Sequence, residues 1–139
     1  MPEGVGYGPQ NTASTGLNLN VIGNYAYAYS GIIVATTAEQ TALEFFTPNA
    51  IIIADIQCNA YLQYANVTQR QGGYKISFNG QIVALITAPT SNAYAPSTVS
   101  QELIIPPLTN VLIQTVCGAD DADNYATINL VGRIYGKVD

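Results

Sequence analysis

The sequence predicts an all-β single domain, an antiparallel β-sandwich of eight or nine strands. Three observations carry that prediction. Short runs rich in β-branched and aromatic residues recur along the chain, separated by turn signals about every 8–14 residues. One run, Asn24–Ser30, alternates tyrosine with alanine without a break, which is the two-residue period of a strand. Nowhere do a cap and a 3.6-residue apolar period coincide over the length of a helix.

Residues 1–20 are dominated by Gly, Pro, Ser, Thr and Asn and have no period. They read as a flexible N-terminal arm with a few apolar points, among them Tyr7, and residues 21–139 as the sandwich. In Asn24–Ser30, Tyr25, Tyr27 and Tyr29 fall on one strand face and Ala26 and Ala28 on the other. Gly31 marks a bulge or bend before Ile32–Val34. Thr37–Leu43, with Thr37 as a cap and Gln40 three residues on, reads as a turn or single helical turn. Thr41–Thr47 and Ile51–Tyr61 are strands divided by Pro48-Asn49, and Gln63–Gln69 is a further short one.

The strongest local signal is Tyr74–Phe78, Asn79-Gly80, Gln81–Thr87. Asn-Gly suits the two positive φ angles of a type I′ turn. A plain two-residue loop pairs Phe78 with Gln81, Ile76 with Val83 and Tyr74 with Leu85 on one mostly apolar face. Ala88–Ser97 is a loop, Val99–Ile105 a strand stopped by Pro106-Pro107, and Asn110–Cys117 another strand. Gly118–Asn124 is an acidic loop. Tyr125–Tyr135 closes the series, with Tyr125, Thr127, Asn129 and Val131 on one face and Ala126, Ile128 and Leu130 on the other. Strands of this number and spacing suit a jelly roll best. An immunoglobulin-like sandwich comes second, because the chain has no tryptophan to fill that fold's core.

Composition limits function. The chain has no histidine, so a Ser-His-Asp or Cys-His site cannot be built. Glu44, Asp55 and Glu102 are the strand carboxylates from which a two-acid glycosidase would have to be made, and no spacing ties them together. The expectation is a protein that is not an enzyme and carries no cofactor. Four cations, Arg70, Lys75, Arg133 and Lys137, stand against nine carboxylates, for a net charge of −5. Nucleic-acid binding needs a basic face, and this balance supplies none. Met1–Asn20 has neither the basic nor the apolar stretch of a signal peptide, and no apolar run reaches the length of a membrane helix. A soluble protein made in a cytosol is expected, with Cys58 and Cys117 as reduced, buried thiols.

Asp120, Asp121 and Asp123 are oxygen ligands of the kind calcium takes, but they lack the EF-hand spacing and read first as a solvated loop. Asn66-Val67-Thr68 fits a glycosylation sequon that has no secretion signal beside it. The ten tyrosines, set in a chain with only 9% charged residues, suit contact with other protein, or stacking on sugars. Tyr7, Tyr25, Tyr27 and Tyr29 are the candidate contact residues.

The Gly/Asn/Thr-rich arm, NYAYAYSG at 24–31, LIIPPLTNV at 103–111 and INLVGRIYG at 128–136 together resemble small structural proteins of tailed bacteriophages, capsid decoration or cement proteins in particular. The run of strand, Pro-Pro-Leu-Thr, strand, acidic loop and final strand also resembles compact tumour-necrosis-factor-like jelly rolls, which commonly trimerise. The resemblance implies a homotrimer on the outside of a phage head, with the major capsid protein as partner and the virion, assembled in the host cytoplasm, as location. It brings no catalytic residues. The alternative is a receptor- or carbohydrate-binding head on a fibre or spike.

Overall fold

The computed structural model describes residues 19–34, 38–62, 70–90, 97–117 and 124–135. They form ten strands: β1 (Asn20–Ile22), β2 (Tyr25–Tyr29), β3 (Ile33–Val34), β4 (Gln40–Phe46), β5 (Ile51–Leu62), β6 (Arg70–Phe78), β7 (Gln81–Thr90), β8 (Ser97–Ile105), β9 (Asn110–Cys117) and β10 (Asn124–Tyr135). One sheet runs β1-β2-β10-β5-β8, with β3 also on β10, and the other runs β4-β9-β6-β7. All pairings are antiparallel. From β3 onward every connection except the β6–β7 hairpin crosses from one sheet to the other. This is the jelly-roll arrangement of two four-stranded sheets, with β1 added at one edge. No helix among the described residues is long and apolar enough to cross a membrane.

β2 and β3 follow one another along the same side of β10 and act as one interrupted strand. The interruption is at Ser30 and Gly31, whose φ is +73°. Ser30 N–H donates to the Ile128 carbonyl at 2.9 Å, and Ile128 N–H donates to Ser30 Oγ at 2.9 Å. The hydroxyl thus replaces a ladder partner where the backbone turns aside. Counted as one, β2 and β3 make the total nine. The sandwich also begins slightly before residue 21: Leu19 is fully buried and Asn20 pairs with Tyr27.

Alternation decides the faces as the strands suggest. Ala126, Ile128 and Leu130 of β10 are buried against Ala26, Ala28, Ile52, Ile56 and Cys58 of their own sheet, and meet Leu43, Phe45, Val111, Ile113, Tyr74 and Ile76 of the other. Tyr74 reaches across this core and donates its hydroxyl to the Asn59 carbonyl at 2.6 Å. The two sheet-crossing corners β4–β5 and β8–β9 lie side by side, joined by the backbone bonds Thr47 N–H to the Thr109 carbonyl and Leu108 N–H to the Pro48 carbonyl and by one side chain. Thr47 Oγ1 accepts from Thr109 N–H at 2.8 Å and donates to the Pro106 carbonyl at 3.1 Å.

Three expectations are corrected. Ala88–Thr90, expected as the start of a loop, continue β7 in register with Arg70–Gly72 of β6. The turn expected over Thr37–Leu43 is strand from Gln40 onward. The strand expected over Thr41–Thr47 is present as β4, and a bulge between Thr41 and Leu43 buries the neighbours Ala42 and Leu43 together at its start. The hairpin forms where expected, with φ of 52° at Asn79 and 83° at Gly80, and Phe78 faces Gln81. Beyond that point a bulge leaves Val83 without a partner, so Ile76 faces Ala84 and Tyr74 faces Ile86. Ile86 is buried, and Val83 and Leu85 are exposed.

Candidate protein-contact face

The outer face of the larger sheet is a grid fixed by register. One row across β1, β2, β10, β5 and β8 is Ile22, Tyr25, Arg133, Ile53 and Ile104. The next is Asn20, Tyr27, Val131, Asp55 and Glu102. Then come Tyr29, Asn129, Gln57 and Ser100, and last Thr127, Asn59 and Thr98. Tyr135 and Ile51 form a row beyond the first.

The grid has two unlike ends. At one end Ile22, Tyr25, Ile51, Ile104, Val131 and Tyr135 are all exposed large apolar side chains, Tyr25 at 50% and Ile104 at 64%. Six such side chains on one end of one sheet face are a patch and not scattered exposure. Arg133 stands among them. Its guanidinium carbon is 5.4 Å from the Tyr25 ring centroid and 5.8 Å from that of Tyr135, within cation–π range of both. At the other end the side chains are neutral and bonded to each other. Asn59 Nδ2 donates to Thr127 Oγ1 at 2.9 Å, and Thr98 Oγ1 donates to Asn59 Oδ1 at 2.8 Å.

The sequence-predicted tyrosines divide between these environments. Tyr25, Tyr27 and Tyr29 share the outer face as expected, and Ala26 and Ala28 line the core. Tyr25 belongs to the apolar end with Arg133. Tyr27 and Tyr29 are half-buried and tilt against each other, with centroids 5.5 Å apart. Tyr7 lies outside the described residues, as do the acidic loop at 120–123 and the sequon at 66–68.

Arg133, Tyr135, Ile104 and Ile51 were not among the residues singled out from sequence. Each stands on the outward phase of its strand, which alternation reveals. Their meeting depends on pairings between segments up to 108 positions apart in the chain, such as Tyr25 with Arg133, and no local pattern encodes those.

Of the three strand carboxylates the structure brings two together and sets the third apart. Asp55 and Glu102 are directly opposite each other on β5 and β8, both exposed, and Glu44 is on the outer face of the other sheet. Among the described residues no group of three potential metal ligands occurs. Cys58 is a free thiol packed in the core, and burial pushes its pKa from 9.0 up to about 12. A thiol so held is a packing residue and a poor nucleophile.

No protein-family model matches the chain, and no curated protein matches it in sequence. Among solved structures, a chain in the structure of infectious bursal disease virus Gt strain is similar over 96% of this chain, with a TM-score of 0.51 and 11% identity. This chain spans 38% of the length of that one. At that identity the likeness is one of fold: the protein is a single all-β sandwich of a kind also found in a virus structure.

Proposed function

We propose that the protein is a virion structural protein that acts by contact and not by chemistry, and that it decorates the outer surface of a capsid with the major capsid protein as its partner. The observation that carries this reading is the apolar end of the outer sheet face, where Tyr25 and Tyr135 flank Arg133. Tyr and Arg are the residues enriched where protein surfaces bind. The small share of charged residues, the phage-like sequence segments and the fold likeness to a chain of a virus structure support the same reading. A protein that binds only the assembled shell stabilises it by mass action.

The test is cosedimentation of the purified protein with empty heads of the virus that carries its gene, together with mass spectrometry of intact virions. The protein should be found in virions and should bind heads. Tyr135→Ala and Ile104→Asp should weaken binding by about tenfold or more, as expected for central contact residues. Glu44→Gln, on the opposite sheet, should not. Absence from virions, or equal effects of all three changes, would overturn the proposal. Loss of cell adsorption with head binding intact would favour a receptor- or carbohydrate-binding head instead.

A further inference from the structure

The electrostatics of the apolar end are incomplete within one copy of the chain. Asp55 and Glu102 are cross-strand partners, and like charges directly opposite each other oppose pairing. Among the described residues neither carboxylate has an ion-pair partner. The one cation in the described grid is Arg133, a diagonal neighbour of Asp55 across β10 and β5. Its guanidinium does not turn to Asp55 on β5. It lies over Tyr25, on the β2 side of its own strand. A preorganised cation and an unneutralised pair of anions thus stand on the same apolar surface, on either side of Val131 and Ile53.

We propose that this face binds a second copy of the chain about a two-fold axis. The axis lies in the contact plane and passes between Arg133 and the Asp55–Glu102 pair. A rotation about it exchanges the cation of one copy with the anions of the other, so one contact occurs twice, as an isologous interface requires. Val131 and Ile53 fall at the centre, and Ile104, Tyr25 and Tyr135 surround it. Packing the apolar side chains removes water from two arginine–carboxylate contacts, and each arginine arrives already fixed between two rings. Charge complementarity of this kind sets partner and register. The arrangement favours an even-numbered assembly over the three-chain one that the sequence resemblance implies.

The inference rests on reading this face as a protein contact: the face joins two copies, the pair meets the shell through its remaining surface with doubled valency, and Tyr135→Ala or Ile104→Asp weakens head binding by loss of that pairing; it can fail separately from the capsid role. The test is light scattering with size-exclusion chromatography on the full chain at micromolar concentration. A particle of two chains, or of an even number of chains, is expected. Arg133→Glu and Glu102→Arg should each raise the dissociation constant by about tenfold or more, and the double variant R133E/E102R should recover most of the loss. Both positions are exposed, and circular dichroism would verify that each variant is folded. A monomer, a three-chain particle, or an even-numbered particle indifferent to these charges would overturn the proposal. A monomer that still binds heads would assign the face to the shell and leave the capsid role standing.

Discussion

Gly132 is the residue at which one methyl group should matter most. It lies on the core side of β10 between Ala26 and Ala54, and an added Cβ would come within 2.7 Å of Ile52 Cγ2 and 3.0 Å of the Ile53 carbonyl oxygen. The second contact is backbone and cannot swing aside. Gly132→Ala is expected to destabilise the fold by about 1–3 kcal/mol, the usual range for overpacking, as read by urea unfolding. Tyr74→Phe removes the donor to the Asn59 carbonyl and should cost about 1 kcal/mol in the same assay. Cys58 makes a pH-dependent prediction. Well below pH 9 its thiol is neutral whether the chain is folded or not. Between pH 9.0 and about 12 the unfolded chain gives up the proton and the folded one keeps it. Stability should therefore fall through that window, by up to about 1.4 kcal/mol per pH unit from this group, and Cys58→Ala should flatten the slope. At this scale the sequence was informative about identity and phase. It marked Tyr25, Tyr27 and Tyr29 as a single face and Cys58 as buried. It was silent on Gly132, because the crowding there comes from Ile52 and Ile53 on a strand about 80 positions earlier in the chain.

Among the elements, the β6–β7 hairpin separates what local sequence encodes from what it does not. Asn79-Gly80 specifies the turn through its two positive φ angles, and that part was legible. The extra residue at Val83 was not, because an apolar residue at a bulge looks like any other strand residue. A substitution pair distinguishes the two registers. Leu85→Lys should change stability by no more than about 0.5 kcal/mol, as at an ordinary surface position, whereas Ile86→Lys should prevent folding. The plain two-residue register predicts the reverse. Only the start of β4 was obscured, for a related reason: Ala42 and Leu43 are buried as neighbours, which breaks the alternation there. The corners joining the sheets are held in part by the Thr47 hydroxyl. Thr47→Val removes the acceptor for Thr109 N–H and the donor to the Pro106 carbonyl. A loss of about 1–3 kcal/mol in thermal or urea melts is expected, since the Thr109 amide is then left buried without a partner.

For the molecule as a whole, composition indicated contact more clearly than alternation indicated where contact occurs. A two-residue period sorts each strand into two faces without saying which face is inside. Only the pairing of β2, β10, β5 and β8 brings Tyr25, Arg133, Ile53 and Ile104 into one row. The patch is therefore a property of the assembled sheet. One consequence can be measured on the whole surface: apolar dyes that report exposed hydrophobic area should bind the native protein at low concentration, and binding should fall with Ile104→Asp and as self-association proceeds.

The position of β10 has a further consequence, in time. This strand is the last of the ten to be synthesised, yet it lies in the middle of its sheet, with β2 and β3 on one side and all twelve of its residues, Asn124–Tyr135, paired to β5 on the other. Until the ribosome has released residues 124–135, β2 and β5 have no common neighbour, and both must wait with apolar side chains uncovered. A nascent chain of this kind cannot settle strand by strand. It folds only after residues 124–135 have emerged, slowly, in the manner of chains dominated by distant pairings, and its exposure to aggregation is greatest just before they do.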